Sequence, residues 1–170
     1  PNDNWQIYSG VDATHIGREG NRTRLVKIMN GNPLPMPMEF TDKIWQDSKV
    51  SDIGVFTEAK LFGKNNTIYT FGLRYNTVLS SIGDPADNFA DMYDLDDRTE
   101  GYLSGTVSVK KTISPKFTLE AAYGRGTRPA SMVERYINHF TIGQDPYEYV
   151  GNPNLKAEVN NQFEIDRKST

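Results

Sequence analysis

Apolar and polar residues alternate in six separate segments of this chain, and no long stretch keeps the spacing of an amphipathic helix. Successive side chains of a β-strand point to opposite faces, so a period of two predicts strands with one apolar and one polar face. In residues 67–82, for example, Phe71, Leu73 and Tyr75 alternate with polar residues or glycine. We therefore predict an all-β fold. The predicted strands are residues 5–16, 52–62, 67–82, 102–110, 117–124 and 159–166.

The connections between these strands alternate strictly in length. Residues 63–66 and 114–116 are tight turns, whereas residues 17–51, 83–100 and 126–155 are long connections. Structureless loops beyond about 15 residues are uncommon in compact soluble domains. Outer-membrane barrels, in contrast, combine short periplasmic turns with long extracellular loops. The pattern therefore favours an antiparallel transmembrane β-barrel segment of about six strands, with its long loops outside the cell.

Composition is compatible with such a barrel. Apolar residues make up only 36% of the chain, and no run reaches the roughly 18 consecutive apolar residues of a transmembrane helix. In a barrel wall the polar face lowers the average, so the lipid-facing residues do not stand out. The alternative is a soluble β-sheet module that binds a ligand or a carbohydrate, because the strands of a β-sandwich alternate in the same way. Connection length is what favours the barrel.

Charge and residue types exclude several classes of function. The net charge of -3 argues against a nucleic-acid partner, because nucleic-acid binders usually carry a basic patch. No cysteine is present, which excludes disulfides, thiolate metal sites and a cysteine nucleophile. His15 and His139 are the two histidines, and neither a nucleophile elbow nor a phosphate-binding loop occurs. We therefore expect no enzyme activity, no catalytic residue and no cofactor.

Two motifs in the last third of the chain resemble those of a known family. Residues 122–136, with the sequence AYGRGTRPASMVERY, resemble the TonB-dependent receptor pattern of an aromatic strand end followed by Arg, Pro, a small residue and Glu. Residues 151–158, GNPNLKAE, are similar to that family's Gly-Asn-Pro-x-Leu-x-x-Glu motif, with Ala157 where Pro is usual. Residues 53–58 and 72–75 also resemble barrel strands of such receptors. The order of the two motifs, joined by a loop, is more specific than either motif alone.

These motifs also have a physical interpretation. Pro129 lacks an N–H and biases Arg128 away from the α region, so strand pairing is expected to end there. Residues 131–136 are then expected to form a short turn of helix, and residues 151–153 to form a turn that leads back into the sheet. We interpret the motif residues as mainly structural. They are Arg128, Pro129, Glu134, Gly151, Asn152, Pro153, Leu155 and Glu158.

The resemblance implies a large barrel of the plugged, 22-stranded class in the bacterial outer membrane. It implies high-affinity capture of a scarce nutrient, such as a ferric siderophore, haem or a metal complex, at the extracellular loops. The implied partners are TonB, the plug domain, outer-membrane lipid and the extracellular small ligand. Residues 1–170 are then expected to be one partial barrel domain without a plug. Since so few strands do not close such a barrel, this segment alone is not expected to transport anything.

Candidate ligand residues lie in the long connections or at their edges. Met36 and Met38 place two thioethers two residues apart, a ligand type that suits Cu(I), although methionines also simply pack a proline-rich loop. Arg125 and Arg128 are candidates for binding an anionic ferric siderophore. The alternative for these arginines is pairing with carboxylates, namely Glu134, Glu148 and Glu158.

An acidic stretch follows the third predicted strand. It includes Asp94, Asp96 and Asp97, and closely spaced carboxylates are candidate ligands for Ca²⁺. The stretch lacks the residue order of an EF-hand loop. A solvated acidic loop is the alternative interpretation.

Overall fold

A computed structural model describes residues 4–141 and 147–169. Within them, six antiparallel strands form one curled sheet in the order β1-β2-β3-β4-β5-β8. A short pair, β6 and β7, and two short helices lie in the connections. The all-β prediction and the antiparallel barrel segment are therefore confirmed. The strands are β1 (Trp5–Met29), β2 (Asn32–Phe62), β3 (Thr67–Ile82), β4 (Arg98–Ser114), β5 (Phe117–Arg128), β6 (Phe140–Thr141), β7 (Glu148–Tyr149) and β8 (Glu158–Ser169), and the helices are α1 (Asp87–Ala90) and α2 (Met132–Tyr136).

The first long connection is a correction to the sequence-based prediction. Residues 17–51 are not a loop, because β1 and β2 continue pairing as a long hairpin up to Met29 and Asn32. The hairpin closes on Asn30 and Gly31, whose φ angles are 52° and 81°. An Asn-Gly pair with positive φ at both residues is the preferred two-residue turn between antiparallel strands. The other two long connections, after β3 and after β5, remain loops with short helices.

A bulge separates the protruding hairpin from the rest of the sheet. Arg18 pairs with Ser48 and Gly20 pairs with Trp45, so two residues of β2 are opposed by one residue of β1. One of these two residues of β2, Asp47, has a φ of 46°. Bulges bend a strand and redirect its side chains. The other residue of the bulge in β2, Gln46, is fully buried.

Strands β4, β5 and β8 are longer than their alternating segments predicted. Their added residues include charged ones, and Arg128 of β5 pairs with Glu158 of β8 in the ladder. The polar face of a barrel wall tolerates charge, so the pattern of apolar residues underestimated the length of these strands.

The sheet has two chemically different faces. One face carries the apolar row Ile7, Ala59, Phe71, Val107, Tyr123 and Phe163, whose members are neighbours across successive strands. The adjacent row on the other face is Tyr8, Glu58, Gly72, Thr106, Gly124 and Gln162. The polar face lines a concave groove of about 410 Å³. Apolar side chains therefore cover the outside of the curl and polar side chains cover its inside.

A small hydrophobic core lies at the loop end of the sheet. Phe89 of α1 and Met132 and Tyr136 of α2 are buried together, with partly buried neighbours that include Val50 of β2 and Ile82 of β3. Val50 and Ile82 belong to the polar, concave face by strand alternation. The two loops thus fold inward over this end of the groove. In the described residues, no helix is long and apolar enough to cross a bilayer.

Candidate functional site

The two family-like motifs are locked to one another at the loop end of the sheet. The Gly151 N–H donates to the Ile137 carbonyl at 2.7 Å, and the Asn152 N–H donates to the Glu134 carbonyl at 2.8 Å. A Cβ on Gly151 would lie 2.7 Å from the backbone carbonyl of Arg135. Such a distance is too short for any side chain, so the second motif packs backbone to backbone against the helix of the first.

Arg135 stands at the centre of this arrangement, with its side chain fully buried. Its Nη2 donates to the Glu100 carboxylate at 2.5 Å, and its Nε and Nη1 donate to the carbonyls of Ala130 and Pro153 at 3.2 and 3.4 Å. Arg98 of β4 also donates to the Pro153 carbonyl, at 3.0 Å. A buried charge is tolerated only when it is paired and hydrogen-bonded, and these contacts meet that need. No periodic or motif signal in the sequence indicated Glu100 or Arg98.

Arg128 forms a second polar cluster at the end of β5. Its guanidinium binds both carboxylate oxygens of Glu134, at 3.0 and 3.1 Å, and donates to Glu158 at 3.0 Å. Ser131 and Glu134 form a capping box at the start of α2. The hydrogen bond from Arg128, followed by that from the Ser131 backbone, lowers the pKa of Glu134 to about 2. The expected short helix is present, and two of the three carboxylates named as pairing alternatives hold Arg128.

Gln46 connects both loops to the sheet. Its Nε2 donates to the Tyr136 carbonyl at 3.0 Å, and its Oε1 accepts from the Ala86 N–H at 2.8 Å. Asn138, also fully buried, donates to the Lys43 carbonyl at 3.2 Å. Two buried amides therefore satisfy backbone groups from three different segments, which fixes the loops over the groove.

The protruding hairpin is attached to the β5–β8 connection by ion pairs. Glu148 of β7 lies 3.0 Å from Arg22, which is also 3.0 Å from Asp42. Arg24 pairs with Asp42 at 2.7 Å, and His139 Nδ1 lies 2.9 Å from Glu148. The hydrogen bonds from His139 and Arg22 lower the pKa of Glu148 although partial burial opposes the shift. Glu148, the third pairing alternative named for Arg125 and Arg128, is instead shared by Arg22 and His139.

A polar cleft of about 430 Å³ opens between the hairpin and the two loops. His139 on its wall has a φ of 53°, a backbone conformation that is uncommon outside glycine. The carboxylate, amide and imidazole groups that line the cleft can form hydrogen bonds, and neither positive nor negative charge is in strong excess among them. The lining residues are Thr41, Asp42, Lys43, Pro85, Ala86, Asp87, Asn88, Asn138 and His139.

A separate polar network crosses the concave groove. Arg74 binds both carboxylate oxygens of Asp12, at 2.7 and 2.8 Å, and its Nε donates to Asn76 at 2.7 Å. The Asn76 amide in turn donates to Asp52 at 2.6 Å. These contacts join three strands on the inner face.

The proposed ligand residues are not gathered at one place. Met36 and Met38 lie in the protruding hairpin, with 77% and 43% of their surface exposed. Arg125 and Arg128 lie on opposite faces of β5, because Arg125 shares the apolar face with Tyr123 and Arg128 faces the groove. These two arginines are therefore not brought together in one pocket.

Asp94, Asp96 and Asp97 are exposed residues of the loop between α1 and β4. Across residues 4–141 and 147–169, no group of three or more His, Asp or Glu side chains is placed to hold a metal ion.

Comparison with known proteins agrees with this architecture. The model of the family described as TonB dependent receptor-like, beta-barrel matches residues 2–166, which is almost the whole chain. No curated protein matches the sequence.

Proposed function

Because the chain belongs to the TonB-dependent receptor β-barrel family, we propose that it forms part of the wall of a transporter that captures a scarce nutrient and imports it with energy supplied by TonB. The family is one of bacterial outer-membrane receptors and transporters, not of enzymes. The proposed location of this chain is accordingly the outer membrane. The proposed partners are TonB, a plug domain in the groove, membrane lipid and an extracellular small ligand.

The division of the sheet into two faces carries this proposal. Large apolar side chains on the outer face are highly exposed, among them Ile7 at 65%, Val11 at 71% and Phe163 at 68%. A soluble protein rarely leaves such a continuous apolar surface uncovered. In a bilayer the same surface contacts acyl chains, while the inner groove faces the lumen of the barrel. The exposed apolar outer face thus argues against the alternative of a soluble ligand-binding module.

The connections support an orientation. The turns after β2 and after β4 are short and lie at one end, whereas both helix-containing loops and the protruding hairpin lie at the other. We place the short turns in the periplasm and the loops outside the cell. β1 and β8 are the edge strands of the sheet. Since unpaired edges promote aggregation, these edges are the proposed sites of pairing with further barrel strands.

The nutrient is proposed to be a ferric siderophore, haem or another metal complex that enters at the loop end. Met36 and Met38 remain the proposed soft ligands for a copper complex. Arg125 and Arg128 remain proposed contacts for an anionic siderophore, and Asp94, Asp96 and Asp97 a proposed Ca²⁺ site. Arg128 would have to exchange Glu134 or Glu158 for the ligand, since both carboxylates hold it.

Uptake by cells that carry the full-length gene tests the proposal. Radiolabelled ferric siderophores, haem and copper complexes would be supplied to cells with the gene, without it, and with the gene but without TonB. We expect uptake of at least one of these probes only when the gene and TonB are both present. Equal uptake in all three strains, together with a full-length protein that stays in solution without detergent, would favour the soluble module instead.

A further inference from the structure

Between the short turns and the bulge, the charges on the apolar face of the sheet all have the same sign. Between the short turns and the bulge, no Asp or Glu occurs on the paired strand positions of this face, and its charged residues are Lys49, Lys111, Arg125 and Arg167. The carboxylates of the same strands, such as Asp12, Asp52, Glu58 and Glu120, face the groove. Lys49 pairs with Asp47 of the bulge at 3.4 Å, whereas the described residues of the outer face offer Lys111, Arg125 and Arg167 no carboxylate.

Two of these cations lie close together near the short turns. Lys111 of β4 pairs in the ladder with Leu119 of β5, and Leu119 pairs with Arg167 of β8. Their backbone positions are thus two strand spacings apart, or about 10 Å. All three side chains are exposed, and the apolar Ile113, exposed by 58%, lies on the same face of β4. Lys111 and Arg167 therefore lie on either side of the apolar side chain of Leu119.

A sequence neighbour of each cation, Lys110 in β4 and Lys168 in β8, provides a contrast. Lys110, on the groove side, lies 3.8 Å from Glu120, and Lys168 pairs in the ladder with Thr118 on the same polar face. Within the described ranges, neither Lys111 nor Arg167 forms an ion pair. Lys110 and Lys168 thus lie at nearly the same height in the wall as Lys111 and Arg167, but on the groove face and not on the apolar face.

We propose that Lys111 and Arg167 form a binding site for the phosphate headgroup of an anionic phospholipid in the periplasmic leaflet. The site rests on the proposed function, because that function places the apolar face in lipid and the short turns in the periplasm. Lys and Arg near a membrane boundary extend their apolar stems along the wall and direct the charge to the headgroups. A phosphate between the two cations supplies the counter-charge that the described residues do not provide, while an acyl chain covers Leu119.

The alternative partner for two such cations is water alone. Outside the membrane, water alone is a good partner for an ammonium or a guanidinium. Here the apolar residues Ile113, Leu119 and Ile165 are exposed on the same face as the two cations. These apolar neighbours hold the cations against the acyl-chain boundary. Anionic lipids attract each basic residue near the surface by an amount that corresponds to about five-fold in affinity. Two residues together therefore predict about a thirty-fold preference over a variant that lacks both charges.

Native mass spectrometry of the full-length receptor in neutral detergent tests this site. The probes are phosphatidylglycerol, which is anionic, and phosphatidylcholine, which has the same phosphate but no net charge. The double variant Lys111→Gln with Arg167→Gln removes the proposed site. The matched control, Lys110→Gln with Lys168→Gln, makes the same charge change one residue away on the groove face. A third variant, Lys111→Arg with Arg167→Lys, keeps both charges and reports whether the wall still folds.

We expect wild-type receptor to retain phosphatidylglycerol in preference to phosphatidylcholine, and the first double variant to bind phosphatidylglycerol about thirty-fold more weakly. The groove-face control and the charge-conserving variant should retain it. Equal loss in the two glutamine variants, no loss in either, or no preference of the wild type for the anionic lipid would overturn the site. Nutrient uptake measured on the same variants should remain unchanged, so failure of the lipid site is distinguishable from failure of the transport proposal.

Discussion

The buried guanidinium of Arg135 lies 2.5 Å from the carboxylate of Glu100 and so joins the helix of one loop to strand β4. Arg135 is fully buried and Glu100 is about three-quarters buried. Removal of one partner from a buried pair leaves the other charge without compensation. This contact is therefore one of those that hold the β5–β8 loop over the groove.

The first prediction concerns this ion pair. Glu100→Ala in the full-length receptor should lower the stability of the loop by about 3 kcal/mol or more, because Arg135 is left buried and unpaired. Hydrogen exchange of residues 131–141 measures the change. Glu120→Ala removes the exposed pair with Lys110 and should change exchange in its own strands by about 1 kcal/mol or less. Similar small effects in both variants would contradict the proposed role of Glu100.

The second prediction concerns the close packing of Gly151. Gly151→Ala should destabilise the loop by about 1–3 kcal/mol, since the new methyl group meets the backbone of Arg135 at 2.7 Å. Gly126→Ala is the matched control, because nothing lies within 4 Å of the position of its Cβ. Thermal unfolding of the two purified variants in detergent measures the difference. A Gly151 variant as stable as the Gly126 variant would refute the packing argument.

The third prediction concerns acid. The pKa of Glu134 is lowered from 4.5 to about 2 by its hydrogen bonds to Arg128 and Ser131. A lowered folded-state pKa stabilises the fold above the unfolded value, and this contribution is lost as pH falls. Protection of residues 131–136 against hydrogen exchange should therefore decrease from about pH 4.5 to about pH 2. In Glu134→Gln the same segment should lose that pH dependence, and a wild-type profile in this variant would assign the effect to another group.

The fourth prediction concerns the thioethers of the protruding hairpin. Met36→Ala with Met38→Ala should weaken binding of Cu(I) by the full-length receptor, because both candidate soft ligands are lost. Titration with Cu(I) against a competing chelator measures the affinity. Met92→Ala removes a methionine of comparable exposure, 50%, from the other loop and serves as the control. Unchanged copper affinity in the double variant would remove these residues from the list of ligands.

Much of the wall was predictable from the sequence because strand alternation is a local signal. The register of Tyr69, Phe71 and Leu73 against their neighbours follows from side-chain parity once one face is known. The protruding hairpin was missed because its alternation is weak, although Asn30-Gly31 is a strong two-residue turn signal. The main error, the prediction of residues 17–51 as a loop, therefore lay where a local turn signal was present in the sequence.

The loop-end contacts were less predictable for a different reason. Gln46, Glu100 and Arg135 come from segments that are far apart in the chain, and each meets its partner through tertiary packing. The structure has a turn closed by the hydrogen bond from the Leu155 N–H to the Asn152 carbonyl, but the contacts of Gly151 and Pro153 with the segment of α2 require the folded structure. No local pattern specifies such long-range pairs.

The central claim is that alternate residues of one strand face lipid and lumen. Spin labels placed one at a time at positions 70–75 of β3 in the full-length receptor, reconstituted in bilayers, test it most directly. The account predicts that labels at Phe71, Leu73 and Tyr75 collide mainly with lipid-soluble oxygen, whereas labels at positions 70, 72 and 74 collide mainly with a water-soluble nickel reagent or are shielded from both. Uniform access to the nickel reagent along the whole strand would contradict a membrane-spanning wall.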